Sequence, residues 1–241
     1  MNINELLKQD SDVEEVKDFV GGGGFIKDTD VYLMKITHAF FEESKGGALG
    51  VNISFKHADE NNTQFSSTIY VTSGKAKGQK PYYISKNNKK VPLPGYTLVD
   101  DMVRLASNDA SNLETVTTTT KAVEAYDAAA GGKINKNVEV IDHLSGAVLR
   151  VGLLRTKVNK WNNGAPTADV MERNEIDRVF SQDDRTIREV VANKPAEIQA
   201  TWLEQNKGQT RDNTTITAEA STVSAEVAAP ADNTDDLFGD A

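Results

Sequence analysis

Three consecutive stretches alternate apolar and polar residues with a period of two, and that alternation constrains the fold more than any other feature of the chain. Val31 to Ala39 alternates, Leu49 to Lys56 places Val51, Ile53 and Phe55 on one face, and Gln64 to Val71 does the same with Phe65, Ile69 and Val71. A period of two belongs to a strand with one face on a core and the other in water; a helix repeats every 3.6 residues. Ser44-Lys45-Gly46-Gly47 and Asp59-Glu60-Asn61-Asn62 separate the stretches, and both are turn chemistries that favour an antiparallel meander.

A curled meander is the start of an OB-type barrel. Beyond it, Thr97 with Asp100 reads as the cap of a helix carrying Leu98, Val99, Met102 and Leu105 at helical spacing. Thr115 to Tyr126 is threonine-rich and extended, Ala128 to Gly132 is a loose connection, and Val138 to Leu144 is ambiguous. Val148, Val151, Leu153 and Leu154 form an apolar strand that runs on to Trp161, and Asn162-Asn163-Gly164 turns it back. The return strand, Asp169 to Phe180, is expected to close the barrel. Thr186 and Glu189 form a capping box, and Pro195 opens a further helix whose Trp202 is expected in the core. The expected architecture is therefore mainly β with flanking helices: an OB-fold-like antiparallel barrel over 25–212, an acidic arm with a glycine hinge over 1–24, and a disordered acidic tail over 213–241. In the arm, Leu6, Leu7, Val13, Val16 and Phe19 fit a short amphipathic helix. The run Gly21 to Gly24 lacks the Lys-Ser/Thr pair and the strand–helix context of a phosphate-binding loop, and reads as a hinge.

Charge divides the chain. The last twenty-five residues carry −6 with no Lys or Arg, and the first nineteen carry −4, so the overall −9 leaves 20–216 at +1. Within that middle region, Tyr70 to Lys90 holds six lysines, Lys75, Lys77, Lys80, Lys86, Lys89 and Lys90, among Tyr70, Tyr82 and Tyr83, with no acidic residue between. Ammonium groups neutralise phosphates and tyrosine faces stack on unpaired bases, so this composition suits single-stranded nucleic acid. Gly74, Gly78 and Pro81 mark the segment as an open loop. The alternative is a solvated surface hairpin. Lys45 lies in the first turn, and Arg155, Lys157, Lys160 and Trp161 form a second place where cations meet an aromatic ring; Trp161 either joins the site or caps the edge of the core. Phe40 and Phe41 are adjacent in a strand, so one ring must leave the core face and becomes a candidate for stacking on a base.

Beyond Asp212 the composition is too polar to offset ordering entropy, yet the tail ends with Leu237 and Phe238 amid Asp235, Asp236 and Asp240. An acidic peptide bearing two bulky apolar side chains can compete for a basic groove and dock in an apolar pocket of a partner protein. Asp28-Thr-Asp30-Val-Tyr32, Ser44-Lys-Gly-Gly-Ala48, Val71-Thr-Ser-Gly-Lys75, Leu93-Pro-Gly-Tyr96, Leu144-Ser-Gly146 and Leu149-Arg-Val-Gly-Leu153 are spread over most of 20–215. In these segments the chain resembles the single-stranded DNA-binding proteins of lytic tailed bacteriophages. The resemblance implies an OB-fold barrel that holds unwound DNA during replication, recombination and repair. It also implies an acidic C-terminus that recruits replication or recombination proteins, here through Asp235 to Phe238. The C-terminus departs from the bacterial relatives, which end in the phenylalanine itself; here Gly239-Asp240-Ala241 follow.

Other classes fit less well. His38, His57 and His143 are far apart in sequence, with no metal-ligand pair at helical spacing and no nucleophile elbow, so neither an enzyme nor a metal or cofactor site is expected. The absence of cysteine removes disulfides and thiolate metal sites; nothing resembles a signal peptide or a membrane span, and a cytoplasmic protein without membrane partners is expected. A protein-binding assembly or host-modulating factor, with acidic ends that do the work and lysines that only solubilise, explains the tail equally well.

Overall fold

The computed structural model describes residues 27–57, 64–107, 111–127, 131–162 and 165–216. The amphipathic arm, the glycine run, the Asp59–Asn62 turn and the acidic tail from Thr217 lie outside them. The three alternating stretches form β1 (Asp30–Glu43), β2 (Leu49–His57) and β3 (Gln64–Tyr70), paired antiparallel as a meander. The first strand extends past Ala39 through both phenylalanines. Among the described residues it belongs to an eight-stranded sheet with β6 (Thr118–Asp127), β7 (Gly132–Ile141), β8 (Val148–Asn162), β9 (Ala165–Phe180) and β10 (Thr210–Asp212), while β4 (Tyr82–Ile84) and β5 (Lys90–Pro92) form a small separate hairpin. The sheet backbone runs β10-β8-β1-β2-β3, with β9 on β8 and the β6–β7 hairpin attached to β1.

A bulge in β1 determines which side chains enter the core. The register with β2 slips between Ile36 and His38, so one extra residue, Thr37, shifts the alternation by one place. Met34 and Ile36 face the main core before the bulge; Ala39 and Phe41 face it afterwards. Phe40 is thereby turned to the other face, where it is 2 % exposed and packs with Val123 and Val140 of the β6–β7 hairpin. It is buried and offers no face for a base.

The expected barrel closure is not found. β9 hydrogen-bonds to β8 and not to β3, so the sheet is not closed into a barrel. Helix α1 (Pro94–Ala106) packs at the opening and contributes Val99, Met102 and Val103 to the core. It starts three residues before Thr97, because Pro94 occupies the first turn, where its missing N–H costs nothing. Asp100 is not a cap; it accepts the Leu113 N–H at 2.9 Å. The ambiguous stretch 138–144 is the end of β7 followed by a 3-10 turn, Asp142–Leu144.

The capping box forms as the residues predict. Helix α2 (Ile187–Val191) begins at Thr186, whose side chain accepts from Glu189 N while the Glu189 carboxylate accepts from Thr186 N at 2.7 Å. Glu189 also accepts from Glu197 N and Ile198 N, both at 2.9 Å, at the start of α3 (Ile198–Asn206). One buried carboxylate thus caps two helices. Trp202 of α3 packs with Leu154 and Phe180 and donates its indole N–H to Asp177 at 2.7 Å.

Burial pushes the Glu189 pKa up, but the backbone donors outweigh it and hold the group at about 2, below the ordinary 4.5. A carboxylate depressed in the folded state contributes stability above its unfolded pKa and loses it as pH falls toward the folded one. Urea unfolding should therefore show Glu189→Ala about 2–4 kcal/mol less stable at pH 7, with the difference from the parent shrinking between pH 4.5 and 2.

Candidate nucleic-acid interface

The lysine–tyrosine loop is folded and docked. The β1–β2 turn closes through Gly47 N to Ser44 O at 2.8 Å, with Gly47 at φ +75°. The loop then bonds to that turn: Lys75 N donates to Gly46 O at 2.9 Å, Gln79 Nε2 to Gly47 O at 2.7 Å, and Leu49 N to Thr72 Oγ1 at 2.8 Å. A 3-10 turn over Lys75–Lys77 and the β4–β5 hairpin give it internal order. The sequence reading of an open loop missed this, because the partner turn lies about thirty residues away.

The cations differ in what holds them. Lys75 Nζ is 2.7 Å from Glu43, and its stem lies over Gly47. Lys45, Lys77, Lys80, Lys86, Lys89 and Lys90 are exposed and carry no carboxylate partner among the described residues. Lys90 and Lys80 sit over the Tyr82 ring at 4.9 and 5.9 Å from its centroid, a cation–π arrangement. Tyr83 and Tyr70 are about half exposed. Tyr70 stands opposite Gly50, and a Cβ there would come within 3.2 Å of its ring. The glycine lets the tyrosine lie against the sheet.

Tyr70 connects three grooves. One, of about 630 Å³, is lined by the loop residues Lys77, Lys80, Tyr82 and Tyr83; another, of about 490 Å³, by Glu42, Glu43 and Lys45; a third, of about 1010 Å³, runs between β3, α1 and β9. From Tyr70 the outward side chains of β2 and β3 continue as an uncharged ladder, Asn52 to Thr68 and Ser54 to Ser66. The ladder leads into a groove of about 750 Å³ under the β6–β7 hairpin, lined by Lys56, by Lys121, which is 3.9 Å from Asp142, and by Glu124. The signal for this surface was present in the sequence as the polar half of each alternating strand.

The second cluster lies elsewhere. Arg155 is held by Glu172 at 2.6 Å and Asp28 at 2.9 Å, and the carboxylates raise its pKa. Lys157 is alongside β10, and Lys160 and Trp161 are at the outer end of β8, where Trp161 is 70 % exposed. None of the four grooves is lined by these residues. β10 runs beside β8, and 213–216 are held past it by Asn213 N to Lys157 O and by the Asn159 side chain.

The histidines have separate neighbours. His38 stacks on Phe40 and lines the outer groove with Glu124, and burial lowers its pKa; His57 meets Tyr32 edge-on; His143 lies 3.4 Å from Ser111 Oγ. Among the described residues no group of three or more His, Asp or Glu side chains could hold a metal ion, and no helix is long and apolar enough to cross a membrane. Comparison with protein-family models, curated proteins and solved structures finds no match to this chain.

Gly47→Ala would strain the φ of the turn and displace the Lys75 stem. Amide exchange should read this as loss of protection across 72–80, corresponding to about 1–3 kcal/mol.

Proposed function

We propose that this chain binds single-stranded DNA without sequence preference and that the loop groove is the principal contact. The observation that carries the reading is the company of Tyr70 and Tyr83: both rings are half exposed beside Lys77 and Lys80, whose charges no carboxylate neutralises among the described residues. Lysines track the phosphates and tyrosines stack on bases. The uncharged hydroxyl and amide ladder of β2–β3 gives the strand a path away from the loop without fixing base identity. The strand order β3-β2-β1-β8-β9 supports an OB-type fold opened between β3 and β9. By resemblance the role is in phage DNA replication, recombination and repair. The acidic tail, with Asp235, Asp236, Leu237, Phe238 and Asp240, competes for the groove and, once displaced by DNA, recruits replication proteins. Lys160 and Trp161 are peripheral in this reading.

A fluorescence titration of oligo-dT against the matched duplex across a salt series tests it. The expected result is preference for oligo-dT with log K falling on log salt at a slope of about −2 to −4. Tyr70→Ala and Tyr83→Ala should each weaken binding by ~1–3 kcal/mol, and Trp161→Ala by less. Absence of binding to either nucleic acid at low salt overturns the reading in favour of a protein-binding module. Deleting Thr217 to Ala241 should tighten oligo-dT binding, most at low salt; an unchanged affinity removes the competition.

A further inference from the structure

Two strand edges face each other across the opening in the sheet. Among the described residues β3 pairs as a strand only with β2, and β9 only with β8. Each contributes six consecutive residues, Phe65–Tyr70 and Glu172–Asp177, to the cleft of about 1010 Å³. Consecutive strand residues point to opposite faces, so a cleft lined by every residue of both stretches runs along the edges themselves, where backbone N–H and C=O groups are presented. Phe65, Ile69, Leu98 and Ile176 line it while packing on the core. Two edges with apolar side chains between them suit an extended peptide.

The residues that lead into β1 are bonded to the β9 wall of this cleft. The Lys27 N–H donates to Asn174 Oδ1 and the Lys27 carbonyl accepts from Asn174 Nδ2, both at 2.8 Å. Asn174 is buried and belongs to the β9 wall of the cleft. The next residue, Asp28, is tied through Arg155 to Glu172 of the same wall. Lys27 is therefore bonded to a residue of the cleft wall. The residues that precede it in sequence are Gly21, Gly22, Gly23, Gly24, Phe25 and Ile26; six residues can reach about 20 Å when extended, the length of the six-residue edges. Glycines add no side chain where backbones approach closely, and Phe25 and Ile26 match the apolar lining. The stretch is uncharged, whereas the acidic residues 1–19 would meet Glu172, Glu175 and Asp177.

We propose that Gly21–Ile26 docks as an added strand in the cleft between β3 and β9, covering both open edges. This does not depend on the nucleic-acid reading. The chain contains no cysteine, so paired cysteines introduced into the full-length protein report proximity directly. Phe25→Cys with Ser67→Cys should form an intramolecular disulfide at least ~10-fold faster than Phe25→Cys with Lys194→Cys, an exposed control. In Phe25→Ser/Ile26→Ser, amides of 65–70 should exchange ~10-fold or more faster than in the parent. Equal oxidation rates with unchanged exchange overturn the proposal. Disulfide-linked dimers in place of the internal bond also overturn it, by assigning the cleft to a second copy.

Discussion

The single extra residue at Thr37 organises the molecule. A strand that kept strict alternation would send Met34, Ile36, His38 and Phe40 to one face; the bulge moves Ala39 and Phe41 onto the core and turns Phe40 outward. β1 can then serve two sides of the structure. Its first six residues pair with β8, while Phe40 pairs with Val140 and anchors the β6–β7 hairpin. That hairpin walls the outer groove, so the shape of the β2–β3 face depends on a local backbone irregularity on a neighbouring strand.

The proposed interface combines order and unpaired charge. Backbone and amide hydrogen bonds seat the loop on the β1–β2 turn, and among the described residues only Lys75 is used in an ion pair to hold it. The other lysines of the loop are exposed without a carboxylate partner among the described residues, Lys80 and Lys90 lying over the Tyr82 ring. Exposed ammonium groups on a fixed scaffold keep their attraction for phosphate without the entropy of ordering the loop at binding. Arg155 illustrates the opposite use of charge: gripped by Asp28 and Glu172, it joins β8, β9 and the residue preceding Thr29.

The strands were legible because alternation is a local property of the chain. β2 and β3 appear nearly as read, the Thr186–Glu189 capping box forms, and Trp202 is buried. Pro94, a local signal, started the helix before Thr97; the other failures came where distant residues decide, as at the opening where α1 packs and the expected closing strand does not pair with β3. The reach of Glu189 to α3 depends on a chain reversal that no capping pattern encodes.

For the candidate site, the chemistry lay in the sequence: lysines and tyrosines without acids between them, and polar residues alternating along β2 and β3. Tertiary structure decided which of these groups share a surface. It left Lys77 and Lys80 without a carboxylate partner among the described residues beside Tyr70 and Tyr83, took Lys75 and Arg155 into ion pairs, and placed Lys160 and Trp161 away from the loop groove. Residue type sets what a side chain can bind. Whether it is free to do so depends on neighbours that only the folded backbone brings within a few ångströms.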